Sequence, residues 1–305
     1  MRRRILIAIG VILTGLSLWA AVRYSGEISF YLRLYRVSRI ARQFYAEYKY
    51  ITKDIAYSAD SSACLDVYTP ATGTGHPVVV FFHGGGWYQF SKLVYAPVAM
   101  KLVPHDIVVV MVGYTLYPAA DAHQMTREAA AAIAWTLEHI AEYGGDPARV
   151  VVAGQSAGAH LAMLSTLDAQ YLAALGHSSA ELRGLIGISG VYDVAAEDAF
   201  LRTQRQPTKL LEEVMGGTEN YAARSPLSYV RADLPPVLLI HGDADTTVSP
   251  SISTAFHEAL QATGAQSELV IYPGHGHAEL LFYALADEQE ELVQTLVAWI
   301  EQHTQ

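Results

Sequence analysis

The chain has 305 residues, a length sufficient for one large globular domain. Of these residues 51% are hydrophobic and 16% charged, a composition that excludes a collagen-like or disordered chain. Its single cysteine, Cys64, excludes an intramolecular disulfide. The formal net charge is −10, although residues 1–50 carry nine Lys or Arg and only two Asp or Glu, so the remaining body is acidic and argues against nucleic-acid binding.

The first 25 residues contain a long uncharged segment. Arg2, Arg3 and Arg4 precede Ile5 to Val22, eighteen residues without a charge. As a helix this segment would span roughly 27 Å, about the thickness of a bilayer's hydrocarbon core. Residues 1–25 are therefore predicted to form a single N-terminal membrane anchor, with a cleaved secretory signal as the alternative.

The charges around this segment give conflicting signals about topology. The arginines at positions 2–4 favour a cytoplasmic N-terminus and export of the chain that follows, but residues 23–42 place more positive charge after the segment. We expect a membrane-anchored protein and slightly favour an extracytoplasmic location for the domain that follows the anchor.

Residues 26–50 are predicted to form a basic amphipathic helix. At 100° per residue its apolar side chains share one face and its arginines fan across the other. The apolar face contains Phe30, Leu34, Val37, Ala41, Phe44 and Tyr48; the basic face contains Arg33, Arg36, Arg39 and Arg42. Such a helix can lie on a membrane lipid surface or pack on the domain that follows it, and both interpretations stay open.

From residue 51 to 305 apolar strands alternate with amphipathic helices. Continuous apolar runs predict strands buried on both faces of a mostly parallel sheet. The runs lie at 77–82, 107–112, 149–153, 185–188 and 237–240, and the predicted helices at 125–143, 157–167, 252–263 and 288–302. This alternation predicts an α/β domain with helices on both faces of the sheet.

The segment Gly154-Gln155-Ser156-Ala157-Gly158 lies between a predicted strand and a predicted helix. A Gly-x-Ser-x-Gly segment in this context is typical of a nucleophile elbow, a sharp turn that lifts the serine above the sheet edge. Both glycines avoid a Cβ where strand and helix crowd each other. Ser156 is therefore the candidate nucleophile.

A second glycine cluster, His83-Gly84-Gly85-Gly86-Trp87, directly follows the strand predicted at 77–82. Its glycines let the backbone curl and point amides into a site. The amides of Gly85, Gly86 and Ala157 are the candidate oxyanion hole, which would bind negative charge developing on a carbonyl oxygen. We interpret His83 as a residue that holds this loop.

A serine nucleophile needs a base, and the base needs an acid to orient it. After Ser156 the candidate acids are Asp243 and Asp245, which follow a predicted strand. The candidate bases are His275 and His277, in a loop after the next strand. Two histidines so spaced could also bind a metal, but no third ligand has a useful spacing, so no metal or other cofactor is predicted.

These motifs resemble those of α/β-hydrolase fold esterases, and especially the isoprenylcysteine methylesterase-like and carboxylesterase group. The resemblance covers roughly residues 50–300 and is carried by the stretches at 65–68, 140–160 and 234–245. It implies a catalytic triad of Ser156, Asp245 and His277. It also implies hydrolysis of a small or lipophilic ester, with arylformamidase-like amide hydrolysis or a non-catalytic binding protein as alternatives.

The sequence departs from many such esterases before the Leu-x-Pro segment, where Gly113-Tyr114-Thr115 replaces Asp-Tyr-Arg. We expect this change to alter a structural ion pair and not the triad. Residues 191–232, between two predicted strands, are expected to form a small cap over the acyl pocket or an ordinary surface excursion. No oligomeric state follows from the sequence.

Overall fold

The computed structural model describes residues 25–58, 63–286 and 290–305. In this part of the chain, eight strands form one sheet in the order β1-β2-β4-β3-β5-β6-β7-β8. The strands are β1 Ile51–Ala56, β2 Cys64–Tyr68, β3 His76–Phe82, β4 Val108–Gly113, β5 Gly145–Gln155, β6 Gly184–Ile188, β7 Val237–Gly242 and β8 Ser267–Tyr272. Strand β2 pairs antiparallel with β1 and β4, and the other pairs are parallel, which confirms the mostly parallel sheet.

Successive side chains of the central strands face opposite sides of the sheet, as the pleat requires. In β3, Val78, Val80 and Phe82 belong to one hydrophobic core, while Val79 and Phe81 belong to a second core on the other face. Because both faces are buried, these strands are continuous apolar runs in the sequence. Helices cover both faces, as predicted.

The helices are α1 Ser25–Glu47, α2 Ala96–Leu102, α3 Ala122–His139, α4 Ala157–Leu167, α5 Ala169–Ala173, α6 Val194–Thr203, α7 Lys209–Met215, α8 Pro250–Thr263, α9 Glu279–Leu285 and α10 Glu291–His303. Helix α3 begins three residues before its predicted start, because the Asp121 side chain caps it by accepting a hydrogen bond from the Gln124 amide at 2.8 Å. Helices α3, α4 and α8 pack on the first core, and α1, α2, α9 and α10 on the second.

The segment expected to form a cap, residues 191–232, contains α6 and α7. Leu211, Val214 and Met215 of α7 are buried in the first core, and Leu210 packs partly against it. These contacts attach the segment to the sheet's α3–α4 face.

The predicted membrane anchor, residues 1–25, lies outside the described residues except for Ser25. Among the helices that the structure describes, none is both long and apolar enough to cross a membrane. Helix α1 itself packs on the α/β domain through Val37 and Ala41, which are fully or almost fully buried.

One arginine of α1 lies differently from the prediction. Arg33 was expected among the basic residues on the outer face, but its guanidinium carbon lies 3.5 Å from the ring centroid of Tyr283 in α9. A planar guanidinium stacks favourably on an aromatic face, so the pattern of charge alone assigned this residue to the wrong side. Arg36, Arg39 and Arg42 are exposed as expected.

Candidate active site

Ser156 lies at the sharp turn between β5 and α4. Its backbone φ of +55° and ψ of −122° form a strained conformation that non-glycine residues rarely adopt. Gly154 and Gly158 make the turn possible, because a Cβ on Gly154 would come within 2.4 Å of the Gly158 backbone. The turn holds the Ser156 side chain at the carboxyl edge of the sheet, 8% exposed.

The loops after β7 and β8 bring an imidazole and a carboxylate to this serine. His277 Nε2 lies 2.8 Å from Ser156 Oγ, and His277 Nδ1 lies 2.7 Å from Asp245 Oδ2. Parallel strands end at the same edge of the sheet, so residues 121 positions apart can meet there. With Nδ1–H donated to Asp245, His277 Nε2 is free to accept the hydroxyl proton of Ser156.

The carboxylate of Asp245 is buried and fully hydrogen-bonded. Its Oδ1 accepts from the amides of Thr247 at 2.8 Å and Val248 at 3.0 Å, while its Oδ2 also lies 2.9 Å from His241 Nε2. Burial alone would raise the pKa of Asp245, but the His277 charge and these hydrogen bonds outweigh it and hold the pKa well below its ordinary value. Asp245 therefore stays ionised beside His277.

His241 is a residue of this site whose contact the sequence analysis missed. Its Nδ1 lies 2.6 Å from Ser253 Oγ in α8, and its Nε2 lies against Asp245, so the fully buried ring joins strand β7 to the acid. The four-residue spacing between His241 and Asp245 was the available signal for their contact.

The competing candidates make other contacts. Asp243 Oδ1 accepts a hydrogen bond from the Gly274 amide at 2.6 Å, and His275 Nδ1 donates to the Pro273 carbonyl at 2.9 Å. Asp243 and His275 thus shape the loop that carries His277. Across the described residues, no group of three or more His, Cys, Asp or Glu could hold a metal ion.

The glycine loop after β3 lies against the elbow. A Cβ on Gly84 would meet the Gln155 side chain at 2.2 Å, which places the loop beside the residue that precedes Ser156. Gly85 and Gly86 have φ values of +122° and +59°, which suit glycine. Ala157, the third predicted oxyanion donor, is the first residue of α4.

His83 holds the start of this loop. Its Nδ1 donates to the Gly84 carbonyl at 2.8 Å, and its ring stacks on Tyr114 with centroids 4.4 Å apart. Burial lowers the pKa of His83 to about 4, although the Gly84 contact opposes this, so the imidazole is neutral at pH 7. The Tyr114 hydroxyl donates to the His83 carbonyl at 2.9 Å and ties the loop to the segment after β4.

The departure at residues 113–115 has a structural counterpart. Glu128 Oε2 accepts a hydrogen bond from the Thr115 backbone amide at 2.7 Å. An arginine at position 115 would offer a charged partner for Glu128, whose Oε1 is buried without a hydrogen-bond partner among the described residues. With threonine at position 115, Glu128 receives a hydrogen bond from the backbone there and none from the side chain.

Known proteins share this fold and these sequence features. A probable isoprenylcysteine α-carbonyl methylesterase of Arabidopsis thaliana is 31% identical over 76% of this chain and 52% of its own length. The esterase LipQ of Mycobacterium tuberculosis is 32% identical over 70% of this chain and 53% of its own. The chain thus spans about half the length of these curated relatives.

Solved structures with the same fold include esterases. One from Pyrobaculum calidifontis has a TM-score of 0.72 and 22% identity, covering 87% of this chain and 90% of that chain. Esterase 2 of Thermogutta terrifontis, whose structure was solved with the enzyme phosphoramylated by tabun, has a TM-score of 0.64 and 25% identity. The match covers 79% of this chain and 93% of that chain.

Fold and relatives together define an α/β-hydrolase fold protein that is similar in sequence to esterases. Within that class the chain belongs to the BD-FAE family, which matches residues 65–260. The matched segment contains the glycine loop, the elbow and Asp245, and it ends before His277.

Proposed function

We propose that this chain hydrolyses a carboxylic ester through a Ser156–His277–Asp245 triad and an acyl-enzyme. The observation that carries the proposal is the His277 ring, which lies 2.8 Å from Ser156 Oγ on one side and 2.7 Å from Asp245 Oδ2 on the other. This order of nucleophile, base and acid is the one that acyl transfer requires.

In the proposed reaction, His277 Nε2 takes the proton of Ser156 while Oγ attacks the ester carbonyl. Amides of Gly85, Gly86 and Ala157 bind the oxyanion of the tetrahedral intermediate. His277 then returns the proton to the leaving alcohol, and an acyl-enzyme remains. Water, deprotonated by the same imidazole, cleaves the acyl-enzyme and restores Ser156.

The first experiment replaces the nucleophile. We expect Ser156→Ala to lower kcat for p-nitrophenyl butyrate by at least about a thousandfold and to abolish labelling by a fluorophosphonate probe. Its melting temperature should stay close to the wild-type value. Ser251→Ala, at an exposed position of α8, is the matched control and should keep full activity. Retained turnover in Ser156→Ala would refute the proposal.

The substrate we propose is a small or lipophilic ester. Support comes from relatives named as methylesterases of isoprenylcysteine. A panel of p-nitrophenyl esters of increasing chain length, the methyl ester of a prenylated cysteine and an aryl formamide would test this. Faster turnover of the aryl formamide than of a matched aryl ester would replace the ester proposal by amide hydrolysis.

We also propose that residues 1–25 anchor the protein to a membrane, with the catalytic domain on the extracytoplasmic side. Support comes from the uncharged run at 5–22, and from Tyr31, Leu32 and Tyr35 of α1, each about two-thirds exposed beside basic residues. Fractionation of full-length protein and of a variant lacking residues 1–24 should separate membrane-bound from released enzyme. Protease access to intact cells or spheroplasts tests the side.

A further inference from the structure

A single imidazole joins the candidate oxyanion loop to the segment before β7. The Trp87 indole Nε1–H donates to His160 Nδ1 at 3.2 Å, and His160 Nε2 lies 2.7 Å from the Arg224 carbonyl oxygen. His160 lies in α4, one turn beyond Ser156, and its amide donates to the Ser156 carbonyl at 3.0 Å. The ring therefore contacts both the loop and the segment at 191–232, and its backbone belongs to the helix that carries the nucleophile.

The hydrogen bonds determine which tautomer His160 adopts. Nδ1 accepts from Trp87, so the proton must lie on Nε2, where it is donated to the Arg224 carbonyl. The ring is fully buried, and burial lowers the pKa of His160 to about 4 against the opposing effect of the Arg224 carbonyl. A neutral ring can accept at one nitrogen and donate at the other, whereas a protonated ring could not accept from Trp87.

The glycine loop needs such an attachment because its own backbone can adopt many conformations. Three consecutive glycines restrict the chain little, and Trp87 itself has a φ of +65°, a left-handed conformation rare for a large side chain. The Trp87 carbonyl also accepts from the Tyr117 amide at 2.9 Å. Backbone and side chain of Trp87 are thus both held, one residue after the Gly86 donor.

The other end of the connection is held as well. Arg224 Nη1 lies 3.2 Å from both Tyr171 Oη and His123 Nδ1. These side chains belong to α5 and α3, whose buried residues lie in the first core. The carbonyl that receives the His160 proton is therefore attached to the core of the domain.

We propose that His160 is a positioning residue of the active site: its Nε2–H tautomer holds the Trp87 indole and thereby aims the amides of Gly85 and Gly86 at the substrate carbonyl. The role rests on the proposed ester hydrolysis. It acts on the barrier and not on substrate binding, because charge develops on the carbonyl oxygen only as Ser156 attacks.

The first test removes only the indole donor. We expect Trp87→Phe to lower kcat for p-nitrophenyl butyrate about tenfold to hundredfold, less than the outright loss of an oxyanion donor, with KM within about twofold. Affinity for an alkyl trifluoromethyl ketone, whose serine adduct carries an oxyanion, should weaken by a similar factor. Trp135→Phe, in α3 beside His139 and Tyr143, is the matched control and should keep wild-type kcat.

The second test separates the two hydrogen bonds of the ring. His160→Asn keeps an acceptor near the position of Nδ1 but loses the donor to Arg224, whereas His160→Gln keeps a donor near Nε2 but loses the acceptor for Trp87. We expect His160→Gln to lose kcat as Trp87→Phe does, and His160→Asn to lose less. The double variant Trp87→Phe/His160→Gln should lose no more than either single variant, because both remove the same bond.

The outcomes distinguish this inference from the proposed function. Retained activity in Ser156→Ala defeats both. An inactive Ser156→Ala together with a Trp87→Phe enzyme within twofold of wild-type kcat defeats only the role of His160. The role of His160 would also be overturned if His160→Asn lost as much kcat and as much trifluoromethyl ketone affinity as His160→Gln. Additive losses in the double variant would overturn it too, since packing alone would then explain the effect.

Discussion

Two buried carboxylates, Asp245 and Glu197, interact electrostatically and carry different charges at pH 7. Asp245 accepts from two imidazoles and two amides and stays ionised. Glu197 of α6 is 4% exposed, and its Oε2 lacks a hydrogen-bond partner in the described part of the chain. Burial, and then the Asp245 charge, raise the pKa of Glu197 to about 8. Burial and the Asp245 charge keep Glu197 protonated at pH 7, whereas the His277 charge and the hydrogen bonds to Asp245 keep that carboxylate ionised despite its burial.

This difference predicts a pH dependence of stability. Because the pKa of Glu197 is higher in the folded protein than its ordinary value of 4.5, the folded state holds this proton more tightly than the unfolded state. The contribution of protonated Glu197 to the free energy of unfolding is fully present below about pH 4.5 and is lost as the pH rises toward 8. Between about pH 5.5 and about pH 8.5, we expect the free energy of unfolding of wild type to fall by several kcal/mol more than that of Glu197→Gln.

Urea unfolding at the two pH values measures this difference in the free energy of unfolding. Glu301→Gln, at an exposed position of α10, is the control and should match wild type at both. Parallel pH dependence in wild type and Glu197→Gln would contradict the assignment of this proton.

At the scale of elements, the site depends on how closely α4 approaches the end of β3. A Cβ on Gly158 would lie 2.1 Å from the Phe82 carbonyl oxygen and 2.5 Å from that of His83. Both are backbone atoms, so a small shift of a side chain cannot relieve the contact. This approach keeps the glycine loop after β3 next to Ser156.

We therefore expect Gly158→Ala to be strongly destabilising. The added methyl must separate α4 from β3, at a cost of about 3 kcal/mol or more, which lowers the melting temperature by roughly 6 °C or more. Gly264→Ala is the control, because Gly264 has a φ of +89° with open space around it and should cost only about 1 kcal/mol. Similar melting temperatures for the two variants would show that the approach is not tight.

At the scale of the whole molecule, α1 is packed into the second core of the catalytic domain. Val37 is fully buried, and Phe44 stacks on Tyr68 of β2 with centroids 5.7 Å apart. Arg33 lies over Tyr283 in α9, the helix that follows His277. Helix α1 therefore contacts α9, the helix that directly follows the loop carrying the candidate base.

Reversing the character of the buried face should destabilise the whole domain. Val37→Asp places an unpaired carboxylate in an apolar core, and we expect a loss of about 3 kcal/mol or more. Arg39→Asp puts the same carboxylate on the exposed side of α1 and should change stability by less than about 0.5 kcal/mol. Thermal unfolding followed by circular dichroism compares them. An unchanged melting temperature in Val37→Asp would mean that α1 is not part of the core.

Much of the fold was predictable because it depends on local pattern. Continuous runs such as 77–82 mark strands buried on both faces, and the glycines around Ser156 mark a turn where a Cβ does not fit. The ends of the elements were predicted less closely: the helix predicted at 125–143 is α3 followed by a 3₁₀ turn at Ile140–Tyr143. The stacking of Arg33 on Tyr283 was missed because its partner lies 250 residues away in the chain.

The sequence by itself determined the alternation of strands and helices, the elbow and the loop after β3, because each follows from the chemistry of neighbouring residues. The family resemblance implied His277 as the base, but only the tertiary structure brings its ring against Ser156. Only the tertiary structure likewise decided that His241 shares the Asp245 carboxylate and that His160 joins Trp87 to the Arg224 carbonyl. Those contacts depend on distances between side chains whose elements meet only when the sheet has formed.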